Sequence, residues 1–161
     1  TIDIHTQKDQ GSRFVMTFPA AKVEKADHTP EKREGQPRVL VIDDEEPIVE
    51  LVKAYLTPEF DVVGLCDPLD CISRVRDSSF DVIIADLKMP HLTGDKIIER
   101  ARRYNPTITA IAMTEPDLPD HFEKKLYDAG ADSIIRKPIP NRAQLQKIVT
   151  ELLASKLPRA V

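Results

Sequence analysis

Apolar positions along this chain follow two alternating periods. Five short runs rich in β-branched and aliphatic residues, at 39–42, 62–65, 82–85, 107–113 and 133–136, are bounded by charge, glycine or proline and read as strands. Between and after them apolar residues recur at helical spacing. Ile48, Leu51, Val52, Tyr55 and Leu56 share one face of a first helix, with Pro47 in its opening turn, where a missing N–H costs nothing. Further helices are expected near 69–76, 95–104 (stopped by Asn105-Pro106) and 119–129, with Gly130 as a C-terminal cap. A last helix starts near 141 and carries Leu145, Ile148, Val149, Leu152 and Leu153 before Pro158 ends it.

Strands that are apolar almost throughout must be covered on both faces, and strands alternating with helices imply a parallel sheet. The pattern therefore predicts an α/β, flavodoxin-like doubly wound sheet of five strands in the order 2-1-3-4-5, with helices on both faces. Its ligand site is expected at the carboxyl ends of the first and third strands, where the winding reverses. Residues 1–18 differ: Ile2 and Ile4 share one face, as do Phe14, Met16 and Phe18, and a polar stretch from Gln7 to Gly11 separates them. This reads as a short β-hairpin. Residues 19–37 are charged, contain Pro19, Pro30, Gly35 and Pro37, and read as a flexible linker before a domain at 38–157.

Composition narrows the function. The chain has 161 residues, 41% hydrophobic and 31% charged, with 23 basic against 27 acidic residues and a formal net charge of −4. That balance offers no nucleic-acid surface, and no run approaches the length of a membrane helix. Nothing reads as a signal peptide, and a cytoplasmic setting is expected. Cys66 and Cys71 suggest neither a disulfide framework nor a zinc site, and both are expected to be small, buried or half-buried residues. The chain begins at Thr1, which reads as a piece of a longer protein.

The chemistry lies where strands stop. The first strand ends in Asp43-Asp44, followed by Glu45 and Glu46, and the third ends in Asp86. Each alone reads equally as a helix cap or a solvated acidic loop. Brought together at one sheet edge, they would repel unless a cation sat among them, and Mg2+ takes oxygen ligands of this kind. The fourth strand ends in Thr114 and the fifth in Lys137-Pro138, adding a hydroxyl and an ammonium. Phosphoryl transfer needs a nucleophile, a metal and donors for the equatorial oxygens. Asp86 suits the nucleophile, Asp43 and Asp44 the metal, and Thr114 and Lys137 the donors.

Asp43-Asp44, Asp86 with Met89-Pro90, Gly94, Thr114 and Lys137-Pro138, in that order, make residues 38–157 resemble a response-regulator receiver domain of two-component signalling. The resemblance implies that Asp86 accepts a phosphoryl group from the phosphohistidine of a histidine kinase. It implies direct Mg2+ coordination by Asp44, Asp86 and the backbone carbonyl of Lys88, with Asp43 acting mainly through water, and a cis Lys137-Pro138 bond. Gly11-Ser12-Arg13-Phe14 through Phe18-Pro19 is similar to the end of a sensor kinase ATP-binding domain. The implied parent is a hybrid histidine kinase, with a histidine phosphotransfer protein as a downstream partner and no output domain after Leu157.

Some positions depart from that pattern. Ile134 stands where receivers often carry a Tyr or Phe, and an aliphatic residue cannot supply a ring rotation. Lys88 and Pro116 flank the path of an attacking water, and neither is a general base, so slow dephosphorylation is expected. His91 reads as a solvated loop residue rather than a phosphohistidine donor. Two other readings stay open: a receiver-fold binding module with weak or no phosphate turnover, and a Mg-dependent aspartyl-phosphate phosphatase. The second would want a carboxylate where Lys88 stands.

Overall fold

The computed structural model describes residues 2–7, 11–16, 35–76 and 79–156. The chain divides into two units, Thr1–Glu31 and Lys32–Val161. In the first, β1 (Ile2–Gln7) pairs antiparallel with β2 (Gly11–Met16) in a register that sets Ile2 opposite Met16 and Gln7 opposite Gly11. The hairpin expected from alternation is therefore present, whereas its polar turn and most of the expected linker lie outside the described residues.

The second unit runs β3 (Arg38–Ile42), α1 (Glu46–Leu56), β4 (Asp61–Leu65), α2 (Pro68–Val75), β5 (Val82–Asp86), α3 (Gly94–Tyr104), β6 (Thr109–Thr114), α4 (Asp120–Asp128), β7 (Ser133–Arg136) and α5 (Arg142–Lys156). All strand pairs are parallel, in the order β4-β3-β5-β6-β7. Numbered within this unit, that is the expected 2-1-3-4-5. Every residue of β3, β5 and β6 is buried, as strands covered on both faces require. Alternation divides their side chains between two cores. Leu40, Ile42, Ile83 and Ala85 meet Cys71 and Val75 of α2, Ile97 and Ile98 of α3 and Leu126 of α4. Val39, Val41, Ile84 and Met113 meet Val52 and Leu56 of α1 and Leu145 and Val149 of α5.

Three expectations are corrected. On α1 the buried residues are Val49, Val52 and Leu56, while Leu51 is only half-buried. The cause lies in β4: a Cβ on Gly64 would stand 2.3 Å from Val49 Cγ1, so the missing side chain admits Val49 against the edge strand. The fourth strand of the domain starts at Thr109 rather than Thr107. Asn105 Oδ1 accepts the Thr107 amide at 3.1 Å and its hydroxyl at 2.7 Å, which holds Pro106 and Thr107 in a turn. Cys66 is exposed, because it follows the edge strand β4, whereas Cys71 lies on the core-facing side of α2 and is buried.

Candidate functional site at the carboxyl edge of the sheet

Three strand ends meet around one ammonium. Asp43 follows β3, is fully buried, and its Oδ1 accepts the Glu45 amide at 2.9 Å. Its Oδ2 forms an ion pair with Lys137 Nζ at 3.1 Å but takes no aligned hydrogen bond. Asp86 closes β5 at 3% exposure. Its Oδ2 accepts the Lys88 amide at 2.7 Å and its Oδ1 lies 2.9 Å from Lys137 Nζ. Glu45 Oε1 is also 3.4 Å from that ammonium. In the sequence Glu45 is one member of an acidic run, and its place directly after the Asp43-Asp44 pair is the local signal for this contact.

Lys137 is held from its own backbone. The Lys137-Pro138 bond is cis, and the Lys137 amide donates to Thr114 O at 2.7 Å, which joins the end of β7 to the end of β6. Thr114 is buried, and its hydroxyl makes only a long contact to Glu115 O at 3.4 Å. Asp44 and the Lys88 side chain are exposed at the rim, and so is His91, whose φ of 68° places it in the left-handed region. Gly94 closes the floor. A Cβ there would stand 2.3 Å from Asp86 O and 3.1 Å from Leu87 Cα, so the loop after Asp86 turns back directly onto the backbone of β5.

Charge is unbalanced in this cleft. Asp43, Asp44, Glu45 and Asp86 set four carboxylates against the single positive charge of Lys137. Burial pushes the Asp43 carboxyl above its ordinary pKa, and the Asp86 charge adds to this; the Glu45 amide and Lys137 oppose it without reversing it. For Lys137, burial favours loss of the proton, but Asp86 and Asp43 outweigh it and hold the ammonium well above the usual lysine range. Among the described residues no three His, Cys, Asp or Glu side chains gather into a metal cage. The donor set still suits Mg2+, which keeps several waters and binds through one or two carboxylates. Asp43 Oδ2 is buried without a hydrogen bond, and the excess of negative charge around it favours a divalent ion.

This electrostatics predicts a pH effect. In Lys137→Met the two buried carboxylates face each other without a cation, and the Asp43 pKa rises further. A carboxyl whose folded pKa lies above its unfolded value near 3.9 adds stability below that value and loses it as pH rises through the folded pKa. The melting temperature of the variant relative to wild type should therefore climb as pH falls from about 7.5 towards 5. Thermal melts across that range test this, and a difference that is constant or widens on acidification contradicts it.

Residues 39–150 match the family profile described as response regulator receiver domain. The autoinducer 2 sensor kinase/phosphatase LuxQ of Vibrio parahaemolyticus is 26% identical over 152 residues, covering 88% of this chain and 18% of that protein. Hybrid signal transduction histidine kinase L of Dictyostelium discoideum is 30% identical over 137 residues, covering 80% of this chain and 8% of that protein. The chain thus spans a small part of both relatives. Among solved structures, the receiver domain of the Pseudomonas aeruginosa sensor histidine kinase PA1611 is similar with a TM-score of 0.65 at 21% identity, covering 74% of this chain and 98% of that one. That domain was crystallised with magnesium in its active-site cleft.

Proposed function

Because the chain belongs to the response regulator receiver domain family, the phosphoacceptor modules of two-component signalling, we propose that Asp86 is its phosphoacceptor and that Asp43, Asp44, Lys88, Thr114 and Lys137 serve it. One observation carries the assignment. Asp86 is the carboxylate on which both the Lys137 ammonium, at 2.9 Å, and the Lys88 amide, at 2.7 Å, converge. Those contacts hold the nucleophile in one orientation at the mouth of the sheet, so little reorganisation is needed when the donor arrives.

In the transfer, an Asp86 oxygen forms a bond to phosphorus as the bond from phosphorus to the donor's imidazole nitrogen breaks. The electron pair of that bond leaves with the imidazole. Lys137, kept protonated by its carboxylate neighbours, and the Thr114 hydroxyl each bind a phosphoryl oxygen. Asp43, Asp44, Asp86 and the backbone carbonyl of Lys88 would hold Mg2+, which when bound neutralises charge on the transferred group. The exposed Lys88, two residues after Asp86, leaves no carboxylate for a phosphatase-type acid.

The donor class is the phosphohistidine of a histidine kinase, in the same or another chain, and a histidine phosphotransfer protein is a fitting onward acceptor. Origin in a hybrid kinase is supported by the LuxQ match, whose 88% share of this chain exceeds the receiver stretch and all that follows it, and so takes in part of the N-terminal segment. In this reading residues 1–18 close a kinase ATP-binding domain, residues 19–37 are the linker, and the receiver at 38–157 works in the cytoplasm. Among the described residues no helix is long and apolar enough to cross a membrane.

The test is incubation with acetyl phosphate, with and without Mg2+, followed by intact mass and peptide mapping. One added phosphoryl group is expected, dependent on Mg2+, located at Asp86 and absent from Asp86→Asn. Labelling that persists in Asp86→Asn, or none in wild type, would sink the assignment.

A further inference from the structure

Helix α4 is weakly packed and strongly tethered. Leu126 is its one buried residue among those described, while Phe122 and Tyr127 are 39% and 51% exposed. Two ion pairs hold it from opposite sides. Glu123 pairs with Arg136, which also donates to Pro116 O at 2.7 Å and Leu118 O at 3.3 Å, and Arg136 directly precedes Lys137. On the other side Lys125 Nζ lies 2.8 Å from Asp95 Oδ2.

Asp95 is the unusual member. It occupies the core-facing side of α3, three residues before Ile98, in a place where the helical pattern favours an apolar residue. It is 3% exposed, and its Oδ1 is buried without a hydrogen-bond partner. Burial favours its neutral form, but the Lys125 ammonium, the Thr93 hydroxyl and the Lys96 amide together reverse this and hold the carboxyl below the usual carboxylate range. A buried carboxylate costs stability without its cation, which ties Asp95 to the otherwise exposed Lys125 and so to α4. Asp95 also follows Gly94, whose amide donates to Leu87 O at 3.3 Å and whose Cα packs against the Asp86 carbonyl. A shift of the loop after Asp86 therefore reaches Asp95 through one residue.

Ile134 is half-buried against the core cluster that contains Leu126, and it has no ring to rotate. We propose that Asp95 is a positioning residue which, through Lys125, couples the loop after Asp86 to α4, so that phosphorylation is read as a rearrangement of α4 and its exposed Phe122 and Tyr127 without an aromatic switch. The inference rests on the Asp86 assignment and adds to it a route by which the label is noticed.

The experiment is hydrogen–deuterium exchange of peptides spanning 120–128, before and after labelling with acetyl phosphate and Mg2+, with the labelled fraction read by intact mass on the same samples. Labelling should change exchange across α4 in wild type. In Lys125→Ala, Asp86 should still be labelled while the α4 response falls several-fold, and Lys125→Arg should restore it. Should Lys125→Ala unfold by stranding Asp95, the double variant Asp95→Leu with Lys125→Met replaces the pair by apolar contact and should fold, accept label and show the same loss. An α4 response equal to wild type in these variants, or a labelled wild type whose α4 does not respond, overturns the coupling alone. A wild type that takes no label overturns the Asp86 assignment and the coupling with it.

Discussion

Asp43→Asn is expected to melt several degrees above wild type at neutral pH and to lose nearly all Mg2+-dependent labelling. The gain follows from burial. Asp43 is fully buried, its pKa is raised chiefly by that burial, and its Oδ2 has no hydrogen bond. Asparagine keeps the shape and the acceptor for the Glu45 amide while removing a charge that the fold disfavours. Lys137 keeps its partner Asp86 at 2.9 Å, so no cation is stranded. A gain of about 1 kcal/mol raises the melting temperature of a domain of this size by roughly 3–6 °C. Because the folded pKa is raised, the penalty is complete above that pKa, declines below it and vanishes only under the unfolded value near 3.9, so the advantage of the variant should shrink on acidification. The loss of labelling follows because the same carboxylate is proposed as a metal ligand, and stability and function pull this position in opposite directions. Thermal melts at two pH values with labelling time courses decide the matter; a variant less stable than wild type contradicts it.

The second large effect is expected at Gly94→Ala. The added Cβ meets Asp86 O at 2.3 Å, Asp86 C at 2.9 Å and Leu87 Cα at 3.1 Å, all backbone atoms that cannot rotate aside. Either the start of α3 or the end of β5 must shift. Overpacking of this kind costs about 1–3 kcal/mol, and alanine returns at most about 1 kcal/mol of helix propensity at this first-turn position. The net loss should be about 1–2 kcal/mol on those principles. Labelling should slow as well, because the displaced backbone carries Asp86, the proposed nucleophile. Urea titration and labelling rates measure the two effects, and wild-type values in both would refute the close approach.

Legibility in the sequence followed the range of each interaction. The strands were readable because β3, β5 and β6 are buried on both faces and so carry unbroken apolar runs. Gly130, with φ of 103°, is the cap its position suggested. Val49 was missed because its burial depends on Gly64, which lies fifteen positions on and touches it only after β4 has paired with β3. Arg38 is of a residue type mostly found exposed, yet it is 2% exposed, paired with Asp61 at 3.1 Å and stacked over Phe80 at 4.8 Å. Residue type alone argues against burying such a cation, and only partners from other elements reverse that preference.

The sequence by itself determined the elements, their order and which chemical groups stand at strand ends, because run length, period and turn residues are local properties. It also brought the site residues to one edge, since parallel winding sends every strand end the same way. Tertiary structure alone decided which groups touch. Lys137 meets Asp43, Glu45 and Asp86 together, Asp44 stays at the rim, and Lys125 reaches the buried Asp95. Those contacts join residues far apart in the chain, and their distances are set by how helices pack on the two faces of the sheet, which no local pattern records.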